Sequence, residues 1–478
     1  MSLSLAFNTA RSSLTATATQ INASTRNVGS AGDPTASRKI AVTTTTATGG
    51  AYVIQISRAS DTALYTRMIS ATSETARAEA MKGGLDQLEN LVGGPTSTTS
   101  AAALLGKFTS ALSDYRNSPE ESSVGTALVT AAKNLTTAVN SAADSINTVR
   151  LDADEAISDS VTTINDLLKQ FEAQNNAVIR GTYAGADITD ALDKRDAILS
   201  KLSEEMGVST VTRPGNDMVI YTDSGATLFE TTARAVTFQP KSVYDGQTVG
   251  NSVYVDGVAV AGPDATMTLK SGRIAGLAEL RDETTVTYQT QLDEMARALV
   301  DGFREVDPSG TLPDAQGLFT ALNPNDPGIS ARLKVKAEVD PAQGGSPKLI
   351  RDGGINGASY VQNTGGGDSY STWLDTLSAR MSETRSFSPN GGIVTSATLA
   401  DYSTSSVGWL SGQRQSWTTQ VTSQSSLLTY ASEALSNATG INLDDEYVYQ
   451  LQLEKTYQAS SKLISVVNSL YDTLLQIR

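Results

Sequence analysis

The strongest constraint in this sequence is a pair of heptad seams, one near each end. Taking every position in the order plus four, plus three from residue 453 gives Leu453, Tyr457, Ser460, Ile464, Val467, Tyr471 and Leu474. The same rule from residue 3 gives Leu3, Phe7, Ala10, Leu14, Thr17, Ile21, Ser24 and Val28. Such a stripe belongs to a helix that lies along another helix. In the first seam the large residues recur every seven at Phe7, Leu14, Ile21 and Val28. From Ala10 onward the alternate positions are small, which suits close packing. Two readings of the seams follow. Each packs inside a monomeric helical bundle, or the two pair and are buried further by neighbouring copies. Their position at the termini, where isolated helices fray, favours the second.

The segments between the seams alternate in texture. NVGSAGDP at 27–34 breaks the first helix. KIAVTTTTATGGAYVIQIS at 39–57 is β-branched and turns at Gly49-Gly50, which predicts a short hairpin. Helices are expected over 58–92, 101–116, 123–179 and 190–207, with Ser118 capping a helix from Pro119. Residues 208–262 then run in short β-branched and aromatic pieces separated by PGND, DSG, YDG and VDG, the pattern of a small antiparallel β-domain. Helix returns over 272–305 and 371–386, and from 405 to the end with a break at ATGINLDD. The segment 307–366 reads as loops with a strand candidate at Leu333–Val339.

The predicted fold is therefore mainly α with a β insert. Terminal helices pair as a coiled coil (1–38 with 432–478), around a mainly helical middle domain (39–207 with 263–431). A small antiparallel β-domain (208–262) is inserted mid-chain. The candidate functional residues are an assembly interface: Leu3, Phe7, Leu14, Ile21, Val28, Leu453, Tyr457, Ile464, Val467, Tyr471 and Leu474.

Composition narrows the chemistry. The chain has no Cys and no His, which removes thiol nucleophiles, Ser-His-Asp triads and Cys/His zinc sites. A net charge of −15 without a basic patch argues against nucleic-acid binding. No apolar run is long enough for a membrane span, and the N-terminus does not read as a cleaved signal peptide. Asp444-Asp445-Glu446 is a carboxylate cluster that reads as the start of the last helix, capped by Asn442 or Asp444. Glu204-Glu205 reads as a solvated helix end, DPSGTLPDAQG at 307–317 as a turn, and the Gly clusters at 353–357 and 365–367 as loops. Trp373, Trp409 and Trp417 are assigned to core or subunit contacts. No catalytic, cofactor-binding or metal-ligating residues are expected.

The tail TGINLDDEYVYQLQLEKTYQASSKLISVVNSLYDTLLQ (439–476) closely resembles the C-terminus of flagellar axial proteins, with the FlgK family the nearest. The matching pieces are Gly440, Asn442-Leu443, the acidic run before Tyr447, and TYQASSKLI at 456–464. ALDKRDAILSKLSEEMGVSTV (191–211) resembles that family's helix leading into its β-domain. SGRIAGLAELRDETTVTYQTQLDEMARALVDGFREV (271–306) resembles its helix leading out. INASTRNVGSAGDPTASR (21–38) matches more loosely, because the Tyr of the usual turn is absent. The resemblance implies a non-enzymatic subunit at the hook–filament junction of the bacterial flagellum. It implies self-association in a helical ring and contact with the hook protein and the second junction protein. It also implies an export chaperone at the C-terminal region, no membrane insertion, and an extracellular location reached by type III export. The alternatives are another axial protein (hook or second junction protein) or a secreted carboxylate-dependent hydrolase, which needs no His or Cys.

Overall fold

The computed structural model describes residues 3–47 and 49–476. The N-terminal seam forms α1 (Leu3–Ser30), and an antiparallel hairpin follows, β1 (Lys39–Thr45) with β2 (Ala51–Arg58). The hairpin folds back along α1. Its mouth is fixed by a reciprocal pair in which Asn27 Nδ2 donates to the Lys39 carbonyl (2.9 Å) and Lys39 N donates to Asn27 Oδ1 (2.8 Å).

Four helices then build the middle of the molecule: α2 (Thr62–Val92), α3 (Ala101–Asn117), α4 (Ser122–Ala184) and α5 (Thr189–Glu205). Asp61 caps α2 by accepting from Leu64 N, and Ser100 caps α3 by accepting from Ala103 N. Ser118 does not cap the next helix, as the sequence suggested. It is the C-terminal cap residue of α3, and α4 starts four residues later. The chain leaves α4 through Gly185 in the left-handed conformation (φ 63°), which glycine adopts without a Cβ clash.

The 63 residues of α4 span about 95 Å at 1.5 Å per residue. Its buried stripe runs Leu128, Ala132, Leu135, Val139, Ala142, Ile146, Val149 and Ala153, in alternating steps of four and three. At Ile157 and Val161 the step is four twice over, so the stripe changes phase along the helix. Asp154, fully buried, sits at that change of phase. It accepts from Arg281 Nη1 (2.5 Å), Tyr244 Oη (2.7 Å) and Lys241 N (2.6 Å). Arg281 is also fully buried and donates further to Asp282 and the Asn251 carbonyl. One carboxylate thereby joins α4, the inserted β-domain and the helix that leaves it.

That β-domain holds two three-stranded antiparallel sheets. One is β3 (Val208–Thr212), β4 (Met218–Thr222) and β5 (Thr227–Phe229). The other is β6 (Val236–Thr237), β7 (Val253–Val255) and β8 (Val258–Ala261). The two chain passages at its base are stitched together, since Gly207 N donates to the Ser271 carbonyl (3.0 Å). Gly272 (φ 92°) crosses so close to Met206 that an added Cβ would lie 2.3 Å from its Cα. Glu205, expected at a solvated helix end, is buried here and faces Arg273 at 3.4 Å. The return crossing of the chain covers it.

After the insert come α6 (Arg273–Glu279), a single π-helical turn over Leu280–Thr284 that carries Arg281, and α7 (Thr285–Gly302). Short elements follow: β9 (Phe319–Thr320), β10 (Lys334–Val335), α8 (Lys348–Asp352), α9 (Thr372–Ser382), β11 (Arg385–Ser386) and β12 (Ser396–Ala397). Asp307 organises the first loop of this region, accepting from Ser309, Thr311 and Leu312. Those donors hold its carboxyl far below the usual carboxylate range. Phe108, Phe303 and Phe319 meet edge to face at 5.3 Å between each pair of rings and close the core beneath α3 and α7. Finally α10 (Leu399–Thr439) runs antiparallel to α2, through Ser411 with Glu89, Arg414 with Asp86 (2.5 Å), and Arg77 over Trp417. The last helix, α11 (Leu443–Gln476), returns along α1.

Replacing Arg281 by Met strands the Asp154 carboxylate in the core, and a broken buried pair of this kind costs about 3–5 kcal/mol. Guanidinium denaturation of Arg281→Met should show that loss. The double variant Asp154→Leu with Arg281→Met should recover part of it.

Candidate assembly interface

The two seams predicted at the ends of the sequence pack against each other, and one hydrogen bond gives their register. Ser24 Oγ donates to Glu446 Oε2 at 2.6 Å, between two residues that are each 1% exposed. Ile21, a turn before Ser24, lies beside Gln450, Leu451 and Glu454, which follow Glu446, so α1 and α11 run antiparallel. Stepping one heptad at a time from this pair places Thr17 opposite Leu453, Ala10 opposite Ser460 and Leu3 opposite Val467. Burial follows the same steps: Ala10, Thr17 and Ser24 are buried on α1, and Leu453, Ser460 and Val467 on α11. The contact line is therefore built on one side from small residues, which bring the helix axes close.

The other predicted residues flank this line. Leu3, Phe7, Leu14, Ile21 and Val28 are half-buried, as is Ile464. Tyr457 and Tyr471 are exposed. Leu474 lies on the same heptad line as Val467 but is 60% exposed, because the register places it beyond Leu3. Tyr447, Leu451, Leu463, Val466 and Leu470 are exposed as well, so α11 carries apolar side chains around much of its circumference. A second side of α1 is covered by the hairpin, where Ala16, Ala23 and Asn27 are buried.

A charged joint fastens this pair to the middle of the molecule. Its cations all come from the N-terminal segment. Arg38 Nε donates to Glu446 Oε1 (2.7 Å), and Arg38 N donates to the Thr439 carbonyl (2.9 Å). Arg26 reaches Asp187 (2.5 Å) and Asp190 (2.9 Å). Lys39 Nζ, itself buried, lies 3.0 Å from Asp190 and 3.1 Å from Asp193. Arg58 grips Asp193 (2.9 Å) and Asp196 (2.5 Å). Asp193 also accepts from Ser37 N and Ser37 Oγ. The acids thus come from α5, the segment before it, and α11.

Sequence reasoning missed this joint and missed Glu446 as a contact residue. The signal for Glu446 was present, because it stands one heptad before Leu453 on the same line. Its neighbour Asn442 does cap α11, accepting from Asp444 N at 3.0 Å. Among the described residues, no group of three or more Asp, Glu, His or Cys is arranged to hold a metal ion, and no helix is long and apolar enough to cross a membrane. Trp373 is buried, and Trp409 and Trp417 pack on the core from its edge.

Residues 85–319 match the family described as the flagellar hook-associated protein FlgK helical domain. Over this stretch the chain is similar to the FlgK family. It is 25% identical to flagellar hook-associated protein 1 of Escherichia coli K12 over 295 residues, which is 61% of this chain and 53% of that protein. Flagellar hook-associated protein 1 of Salmonella typhimurium is 22% identical over 504 residues, 90% of each chain. The solved flagellar hook junction protein FlgK from Burkholderia pseudomallei aligns with a TM-score of 0.44 at 21% identity, over 54% of this chain and 47% of that one. The stretch matched to the FlgK helical domain holds all of α4 together with the β insert, so the family resemblance rests on the middle of the molecule. The terminal pair is characterised by its own geometry.

The joint has a definite pH dependence. Burial pushes the Asp187 and Asp190 carboxyls up. Bonds from Arg26 and Thr189 to Asp187, and from Lys39 and Arg26 to Asp190, outweigh it and hold both below the usual value. On the more buried Asp196 desolvation prevails and raises the carboxyl despite Arg58. A lowered folded value contributes stability above the ordinary carboxylate pKa and loses it as pH falls through the folded value. Protection of residues 20–30 in hydrogen exchange, corrected for intrinsic rates, should therefore decline as pH drops below about 4. Arg26→Gln should flatten that profile. Asp193→Ala, which leaves Lys39 buried with less compensation, should destabilise the joint by about 3 kcal/mol in urea titrations.

Proposed function

We propose that this chain is a structural subunit of the bacterial flagellum at the hook–filament junction, linking the hook to the next junction protein and so to the filament. The observation that carries the reading is the apolar surface of α11. The helix is held by α1 along one narrow line, while Tyr457, Leu463, Val466, Leu470, Tyr471 and Leu474 face solvent. An isolated protein gains nothing from such a surface, whereas copies arranged around an axis bury it at about 25 cal/mol per Å² of apolar area. In this reading the subunits associate in a helical ring. Leu3, Phe7, Leu14, Ile21 and Val28 join Leu453, Tyr457, Ile464, Val467, Tyr471 and Leu474 in the contacts between copies.

The rest of the chain divides to match. Residues 1–38 with 432–478 assemble, 39–207 with 263–431 form the helical middle, and 208–262 form the inserted β-domain. The subunit is exported to the outside of the cell. A chaperone holds its C-terminal region beforehand. Its partners are its own copies, the hook protein and the second junction protein, and it has no catalytic role. The names of the Escherichia coli and Salmonella relatives support the same place in the flagellum.

Removing residues 453–478 takes away the exposed surface and leaves α2 through α10 in place. The truncated protein should keep the thermal transition of its middle domain but fail to enter hook tips, and electron microscopy of the strain should show hooks without filaments. A truncated protein that still built a junction would overturn the proposal.

A further inference from the structure

The 3-4 seam of α11 offers two adjacent lines to a partner helix. One is 446, 453, 460 and 467; the other is 457, 464 and 471. A symmetric heptad contact buries both. Here α11 is rotated so that only the first line is buried, with Leu453, Ser460 and Val467 each 5–6% exposed. The second line lies at the edge of the contact, with Tyr457 and Tyr471 exposed and Ile464 half-buried, although it carries the larger apolar side chains. Apolar burial alone favours the opposite rotation.

The line that wins is the one that carries a carboxylate. Glu446 is the most buried residue of α11, and it is satisfied on both oxygens, by Ser24 Oγ and by Arg38 Nε. Turning α11 to centre the aromatic line would pull the carboxylate from these donors. That would leave Ser24, itself buried, without its acceptor. The small residues opposite, Ala10 and Thr17, repeat every seven and fit a narrow line such as Leu453 and Ser460.

We propose that Glu446 is a positioning residue that selects which face of α11 meets α1, and so keeps the Tyr457, Ile464 and Tyr471 line outward. A single buried polar position is known to specify pairing in coiled coils at some cost in stability. That the outward line serves contacts between copies rests on the junction reading above. The choice of face does not.

The chain has no cysteine, so single cysteines report each face cleanly. Tyr457→Cys and Ser460→Cys are made separately in the full chain, in three backgrounds: Glu446 intact, Glu446→Gln and Glu446→Leu. Maleimide labelling rates are then measured. With Glu446 intact, the cysteine at 457 should label at least about tenfold faster than that at 460, because only the latter needs a local opening. Glu446→Gln keeps an acceptor for Ser24 and Arg38 and should preserve the ratio. In Glu446→Leu, position 460 should speed up while 457 slows, bringing the two rates within a few-fold of each other. An unchanged ratio in Glu446→Leu would show that packing alone sets the face, and would overturn the proposal. So would equal rates with Glu446 intact. Fast labelling at both positions in Glu446→Leu would overturn it too, because Glu446 would then hold the pair together without choosing its face. Incorporation of Glu446→Leu at hook tips separates the two ideas. If labelling shows the rotation yet incorporation is normal, the face selection stands and the assembly role of the outward line fails.

Discussion

The joint between the N-terminal segment and α5 is the interaction on which the terminal helix pair depends. Four cations within residues 26–58 meet four aspartates within residues 187–196 and the glutamate that opens α11. The polarity is one-directional. The segment carrying α1 and the hairpin is the cationic partner, and the body it docks on is acidic. Several of the groups are buried, Lys39 and Glu446 most of all, so each must find its counterion or remain costly. The joint therefore places α1, and through Glu446 it places α11.

From this joint outward the terminal pair is held lightly. Its contact line uses Ala10, Thr17 and Ser460, whose burial removes little apolar area from water but allows close approach. The bulk of the apolar surface of α11 remains on the outside. The middle of the molecule is built the other way. There α4 presents a continuous stripe of Leu, Val, Ile and Phe to its neighbours, and the phenylalanine trio closes the far end of the core. The body has a saturated core while the terminal helices keep apolar faces exposed, a contrast that supports the proposed burial by assembly.

Much of this was legible in the sequence, for a physical reason. Helix and strand segments carry their own periodicity, so the hairpin at 39–57, the β-domain at 208–262 and the break before α11 read directly from the residue pattern. The seams read for the same reason, and the structure does lay α1 along α11. The charge joint did not read. Asp193 and Lys39 are 154 residues apart, and nothing in local composition pairs them. Glu205 failed in the same way, because the segment that returns beside it, at Ser271–Arg273, comes more than 60 residues later. Ser118 failed through a local competition, since the residue that caps one helix C-terminally is not free to start the next.

Alone, the sequence determined which segments are helical, which stripe of each terminal helix is apolar, and that no cysteine or histidine chemistry is available. Only the tertiary structure decided how those stripes are turned. A 3-4 repeat defines two neighbouring lines on a helix and ranks them by apolar size. By that ranking the aromatic line of α11 should face inward. It faces outward, because Glu446 lies on the other line and its donors, Ser24 and Arg38, exist as partners only once the two ends of the chain have met.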